Sequence, residues 1–122
     1  MMADASRDPR VECCGLLAGR DGVITTILRA ENAAANPEKN YEIAPQELFA
    51  LMRRLHEENL DLIAIYHSHP NGKNEPSPTD IEQGYYPDAA FIILSPEAGA
   101  ERPVRAFQIR DGHATDLSVQ II

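Results

Sequence analysis

The chain has no tryptophan, 6% aromatic residues and two cysteines in 122 residues. The cysteines, Cys13 and Cys14, are neighbours. Adjacent residues make a poor strain-free bridge, and a disulfide framework needs distributed pairs, so covalent stapling is excluded. Buried, reduced thiols are the expectation. Long apolar runs are missing too. Stretches such as Ala89 to Leu94 fall far short of the roughly 20 residues that a membrane helix needs. The opening "MMADASRDPR" has neither the basic nor the apolar region of a secretory signal. These absences point to the cytoplasm and to no membrane partner. Positive charge is scarce, with 11 Lys and Arg against 19 Asp and Glu, a net −8. Phosphate binding needs a positive surface, so nucleic acid is not expected as a partner. The pair Arg53-Arg54 reads as exposed charge on a helix.

What is present is ordinary in bulk: 43% hydrophobic and 25% charged residues, as in a soluble globular protein. The length suits a single domain over residues 1–122, large enough to bury a core. Met2 to Asp8 suits a short helix closed by Pro9. Cys13 to Ala18 reads as a buried strand ended by "GRDG", and Val23 to Arg29 as its hairpin partner. "ENAAANPEKN" is a loop, with a short strand expected at Tyr41 to Ile43. Pro45 to Asn59 predicts the longest helix. Proline is tolerated at its first position. Leu48, Leu51, Met52 and Leu55 recur at i, i+3, i+4, i+7. His56, Glu57 and Glu58 lie off that stripe. Leu62 to Tyr66 and Ala89 to Leu94 are near-continuous apolar runs, as in strands buried on both faces. Val104 to Ile109 and Leu117 to Ile122 predict a closing hairpin around "RDGHAT". The sum is an α/β class, an α+β sandwich with a long helix on a curved mixed sheet.

One stretch carries chemistry, "HSHPNGKNEPSPTD" from His67 to Asp80. Side chains alternate along a strand, so His67 and His69 share a face and Ser68 points away. Two imidazoles at that spacing can fill two corners of a zinc tetrahedron. Pro70, Gly72, Pro76 and Pro78 restrict the loop that follows. Asp80 returns a carboxylate eleven residues after His69. Three protein ligands leave a fourth position for water, the arrangement of a catalytic zinc. A plainer reading stands beside it. Ser77 can cap a helix running from Ser77 to about Tyr85, with Pro78 first and Asp80 completing a capping box. The two readings are compatible, and spacing alone does not choose between them. His113, in the expected turn, and His56 read as solvated; Asp61 and Asp88 read as loop or cap residues.

The fourteen residues fit His-x-His, a seven-residue spacer and Ser-x-x-Asp without a gap. They resemble the signature of the JAMM (MPN+) zinc metalloproteases. "VECCGLLAG" resembles that family's other block, a Glu before a small-residue, Leu-rich strand. The order of helix, apolar strand and first histidine matches as well. The resemblance covers nearly the whole chain. It implies a cytidine-deaminase-like fold, with the zinc aspartate on a short helix. It implies zinc on His67, His69 and Asp80, with Glu12 as general acid/base and Ser77 steadying the oxyanion. Composition could not single out Glu12 among eleven glutamates.

The resemblance also implies hydrolysis of a peptide or isopeptide bond after the C-terminal Gly-Gly of a ubiquitin-like protein. Only eight residues separate Asp80 from Ala89, which leaves little room for ubiquitin-gripping insertions. The compact prokaryotic branch, whose partners include small sulfur-carrier proteins, is therefore the closer likeness. Family members commonly have a strand before the first helix, and this chain starts near that helix. An exposed sheet edge and a homodimer are expected from that departure. Two rivals remain. One is a catalytically inactive MPN-type binding scaffold, which usually lacks a zinc ligand. The other is a DNA-repair-associated relative, which the acidic charge disfavours.

Overall fold

The computed structural model describes residues 12–35, 41–69, 75–78, 80, 89–95 and 104–118. The helix expected at Met2 to Asp8, most of the helix expected after Ser77, and Asp88 lie outside these residues. Six strands and one helix are described: β1 (Cys14–Arg20), β2 (Val23–Ala30), α1 (Pro45–Glu57), β3 (Asp61–Ser68), β4 (Ala90–Leu94), β5 (Val104–Arg110) and β6 (His113–Leu117). They form one sheet in the order β2-β1-β3-β4-β5-β6. Every neighbouring pair is antiparallel except β3 and β4, which run parallel. A parallel pair cannot be joined by a tight turn and needs a crossover. The chain between His69 and Ala89 is that crossover, and it contains Ser77 and Asp80.

The central strands are buried on both faces, which explains why their sequences are nearly all apolar. On one face Leu16, Ala18, Ile65, Phe91 and Ile109 meet Leu48, Leu51, Met52 and Leu55 of α1. On the other, Leu17, Ala64, Tyr66, Ile92, Leu94 and Ala106 form a second cluster. Gly15 is required where β1 passes Tyr66. A Cβ there would lie 2.5 Å from both the Leu28 carbonyl oxygen and the Tyr66 ring. Register shifts at Ala18/Gly19 against β2 and at Leu17/Ala18 against β3 bend the sheet, as bulges do. No described helix is long and apolar enough to cross a membrane.

Several expected boundaries moved. The last hairpin turns on Asp111 and Gly112 alone, both at positive φ (52° and 76°). That pair suits a two-residue type I′ turn, so pairing begins at once with Arg110 opposite His113. β6 therefore starts at His113 rather than Leu117, and His113 is an exposed strand residue. The same turn at Asp21 and Gly22 carries β1 on to Arg20. The helix stops at Glu57, not Asn59. Asn59 takes a left-handed φ of 55°. Leu60 N–H then reaches the Leu55 carbonyl at 2.9 Å and Asn59 N–H the His56 carbonyl at 3.2 Å, a Schellman ending. Residues 41–44 form no strand. They are tethered by Ala33 N–H to the Glu42 carbonyl at 2.8 Å.

Candidate metal centre

β3 ends where its parallel neighbour β4 also ends, the end of an open sheet at which ligands typically bind. There it delivers His67, fully buried, and then His69. Their Nε2 atoms are 3.0 Å apart. Asp80 Oδ2 lies 3.3 Å from His67 Nε2 and 3.1 Å from His69 Nε2. The three atoms form a nearly equilateral triangle. Metal bonds of 2.0–2.1 Å at tetrahedral angles place donor atoms about 3.3 Å apart, so this triangle fits one face of such a site. Burial lowers the pKa of His67 despite its bond to Asp80, which favours a neutral imidazole with a lone pair to give. Burial would raise Asp80, but hydrogen bonding to His67 and His69 outweighs it and holds the carboxyl well below the usual range. A carboxylate held ionised beside two imidazoles is a donor set that suits a cation.

Ser77 and Asp80 form the reciprocal cap expected from their spacing. Ser77 N–H donates to Asp80 Oδ2 at 2.9 Å, and Asp80 N–H donates to Ser77 Oγ at 3.1 Å. The Asp80 oxygen in this cap is the one that faces both imidazoles. One turn of helix start thus aims the carboxylate, and the capping and ligand readings coincide. Because Ser77 Oγ accepts in the cap, its own proton is left to donate elsewhere.

Glu12 sits just before β1 and is buried, with 4% of its surface exposed. One of its carboxylate oxygens and a ring nitrogen from each of His67 and His69 all lie within 4.8 Å of one another. These donors could also hold a metal ion. Desolvation pushes Glu12 up to about 7, with His69 opposing and Asp80 adding to the shift. Ser68 fixes the backbone beside it. Its Oγ accepts from Cys13 N–H at 2.9 Å and its own N–H donates to the Cys13 carbonyl at 3.0 Å. Ser68, which points away from the two histidines, thus holds the backbone beside Glu12.

Two residues of the site carried no visible signal. Tyr41 stacks on His67, with centroids 4.2 Å apart and planes 18° from parallel. Asn32 donates from Nδ2 to the Glu12 carbonyl at 2.8 Å. Asparagine in a loop marks a turn, and Asn32 makes one with Ala34 N–H at 3.0 Å. Nothing local shows that its other end reaches Glu12. His56 is exposed on the helix, as expected. Cys13 and Cys14, half-buried and buried, form no disulfide with each other.

The structure therefore has the fold of the JAB class and a donor cluster that could hold a metal ion. The model of the prokaryotic homologs of the JAB domain matches residues 1–110, and the chain belongs to that family. It is 35% identical over 95 residues to a desampylase of Haloferax volcanii, covering 76% of this chain and 68% of the relative. It is 30% identical over 124 residues to the CysO-cysteine peptidase of Mycobacterium tuberculosis, covering 100% of this chain and 84% of the relative. A JAB1/MPN domain protein from Archaeoglobus fulgidus superposes with a TM-score of 0.64 at 14% identity, over 99% of this chain and 86% of the other. That likeness shows the shared fold. The resemblance read from the Glu12 block and the histidine motif is borne out, and so is the mixed-sheet α+β fold.

Proposed function

We propose that the chain is a single-domain, cytoplasmic zinc peptidase. It would hydrolyse the bond after the terminal Gly-Gly of a ubiquitin-like sulfur-carrier protein. The observation that carries this is the triangle of His67 Nε2, His69 Nε2 and Asp80 Oδ2, with the buried Glu12 carboxyl beside it. The names of the relatives, desampylase and CysO-cysteine peptidase, support the substrate class.

Two carboxyls could complete the metal site. Asp80 is the better ligand, because it lies 3.1–3.3 Å from the imidazole nitrogens and is held ionised. Glu12, pushed up to about 7, is better suited to pass a proton at neutral pH. Zinc in such a site supplies Lewis acidity and makes hydroxide available near pH 7. Glu12 accepts a proton from the attacking water and returns it to the departing amine. The Ser77 hydroxyl donates to the carbonyl oxygen as charge develops there, a contribution of about 2.7–4 kcal/mol in comparable sites.

The test pairs metal analysis with cleavage of a carrier protein that bears a cysteine after Gly-Gly. Glu12→Gln keeps zinc and loses cleavage; His69→Ala loses both. Normal cleavage by Glu12→Gln overturns the role of Glu12. Bound zinc with no cleavage by the unaltered chain returns the inactive-scaffold reading.

Self-association belongs to the same proposal. Among the described residues β2 pairs on one side only, and Val23, Ile24 and Ile27 are 40–50% exposed. Sedimentation should show a dimer, and a monomer at all concentrations removes this part.

A further inference from the structure

We propose that Asn32 is a positioning residue that holds Glu12 and the Tyr41–His67 stack in one fixed relation. The inference rests on the reading of Glu12 as the proton carrier. Glu12 and Cys13 precede β1 and so lack the regular ladder that would hold a strand residue. From one side the Ser68 hydroxyl and amide of β3 grip Cys13. From the other side Asn32, just past β2, donates its Nδ2 to the Glu12 carbonyl at 2.8 Å. The opposite end of the same amide is also used. Asn32 Oδ1 accepts from Ala34 N–H at 3.0 Å and from Glu42 N–H at 3.1 Å. A further bond, Ala33 N–H to the Glu42 carbonyl at 2.8 Å, makes this a two-point attachment of residues 41–44.

That attachment matters because of what Tyr41 touches. Among the described residues His67 Nδ1 is buried without a hydrogen-bond partner. A ligating histidine is normally oriented by a bond from its second ring nitrogen. Here no such bond sets the ring, and the stacked Tyr41 ring at 4.2 Å limits its tilt instead. One primary amide therefore joins the backbone of the proton carrier to Glu42, the neighbour of the residue that steadies an imidazole. The donor end serves Glu12 and the acceptor end serves the Tyr41 segment. Asparagine offers both ends at this reach, and aspartate offers only the acceptor.

This asymmetry supplies the test. Asn32→Asp keeps the acceptor for Ala34 and Glu42 but sets an oxygen against the Glu12 carbonyl. Asn32→Ala removes both ends. Zinc content, thermal midpoint, KM and kcat are measured on the carrier protein with a cysteine after Gly-Gly, beside Glu12→Gln. Asn32→Asp is expected to keep zinc, midpoint and KM while kcat falls about 10- to 100-fold, the usual scale for groups that orient a metal site's residues. Asn32→Ala is expected to lose zinc affinity as well, because the Tyr41 segment is released. An Asn32→Asp variant with full kcat overturns the inference. So does one whose kcat falls only in step with zinc content and midpoint, since that is a folding role. If Glu12→Gln is inactive while Asn32→Asp is fully active, the proposed function stands and only this inference falls. If Glu12→Gln stays active, both fall together.

Discussion

At the scale of single residues, the chemistry turns on two carboxyls treated in opposite ways by their surroundings. Asp80 is bonded to Ser77 N–H and to both imidazoles, and these contacts favour the charged form. Glu12 is equally hidden from water, but burial dominates and raises it from 4.5 to about 7. That shift has a consequence for stability in the metal-free protein. Below about 4.5 the carboxyl is protonated in both folded and unfolded chains, so it costs nothing. Above 4.5 the unfolded chain releases its proton and the folded chain holds it until about 7. The folded state then binds more protons, so stability falls as pH rises through this window. Glu12→Gln cannot ionise and should remove the fall. With metal stripped, the variant is expected to be more stable than the unaltered chain at pH 8 by about 1–2 kcal/mol, allowing for residual solvent screening. The gain should vanish near pH 4. Urea titrations at the two pH values measure it, and an equal difference at both would mean that burial is not the cause.

At the scale of elements, much of the chain was legible because periodicity and turn chemistry are local. The stripe Leu48, Leu51, Met52 and Leu55 marked α1, and those four side chains do meet the sheet. The Asp-Gly pairs marked both hairpins. Ends were less legible, because they depend on single backbone conformations. Asn59 in "HEENLDL" is a residue that tolerates a left-handed turn, but the sequence does not say that the helix ends two residues before it. Asn59 stops the helix because the left-handed region costs asparagine less than most residues. An alanine there would bear a cost of about 1 kcal/mol, whereas glycine would bear none. Asn59→Ala should therefore lower the denaturation midpoint, and Asn59→Gly should hold or raise it. The bond from Arg20 Nε to the Asn59 carbonyl, 3.0 Å, uses only the backbone of Asn59 and survives both changes. Equal midpoints for the two variants would show that the Schellman ending contributes little.

At the scale of the whole molecule, the site exists because of strand order, and strand order was not legible. The sequence places His67 and His69 at a strand end and Asp80 eleven residues later. It does not say that β4 lies parallel beside β3, which obliges the chain to cross over and bring Asp80 back above the histidines. Nor could it say that Cys14 pairs with His67, which sets Glu12 beside the same histidines. Asn32 and Tyr41 were missed for the same reason, as their contacts span loops with no periodic pattern. This long-range assembly predicts how the fold responds to metal. The three donors come from one stretch, His67 to Asp80, that the crossover folds back on itself, and the unfolded chain has no such triangle. A cation bound only by the folded state stabilises it by about 2.7 kcal/mol at a hundredfold excess over Kd. For a chain of this size that corresponds to a thermal midpoint higher by roughly 10 °C. Chelation should remove the gain and zinc should restore it. Magnesium should not, because it prefers an all-oxygen octahedral shell over two imidazoles. His69→Ala should show neither the loss nor the recovery. If the midpoint of the unaltered chain ignores both chelator and zinc, the triangle of His67, His69 and Asp80 is a hydrogen-bonded cluster only, and the metal assignment falls with it.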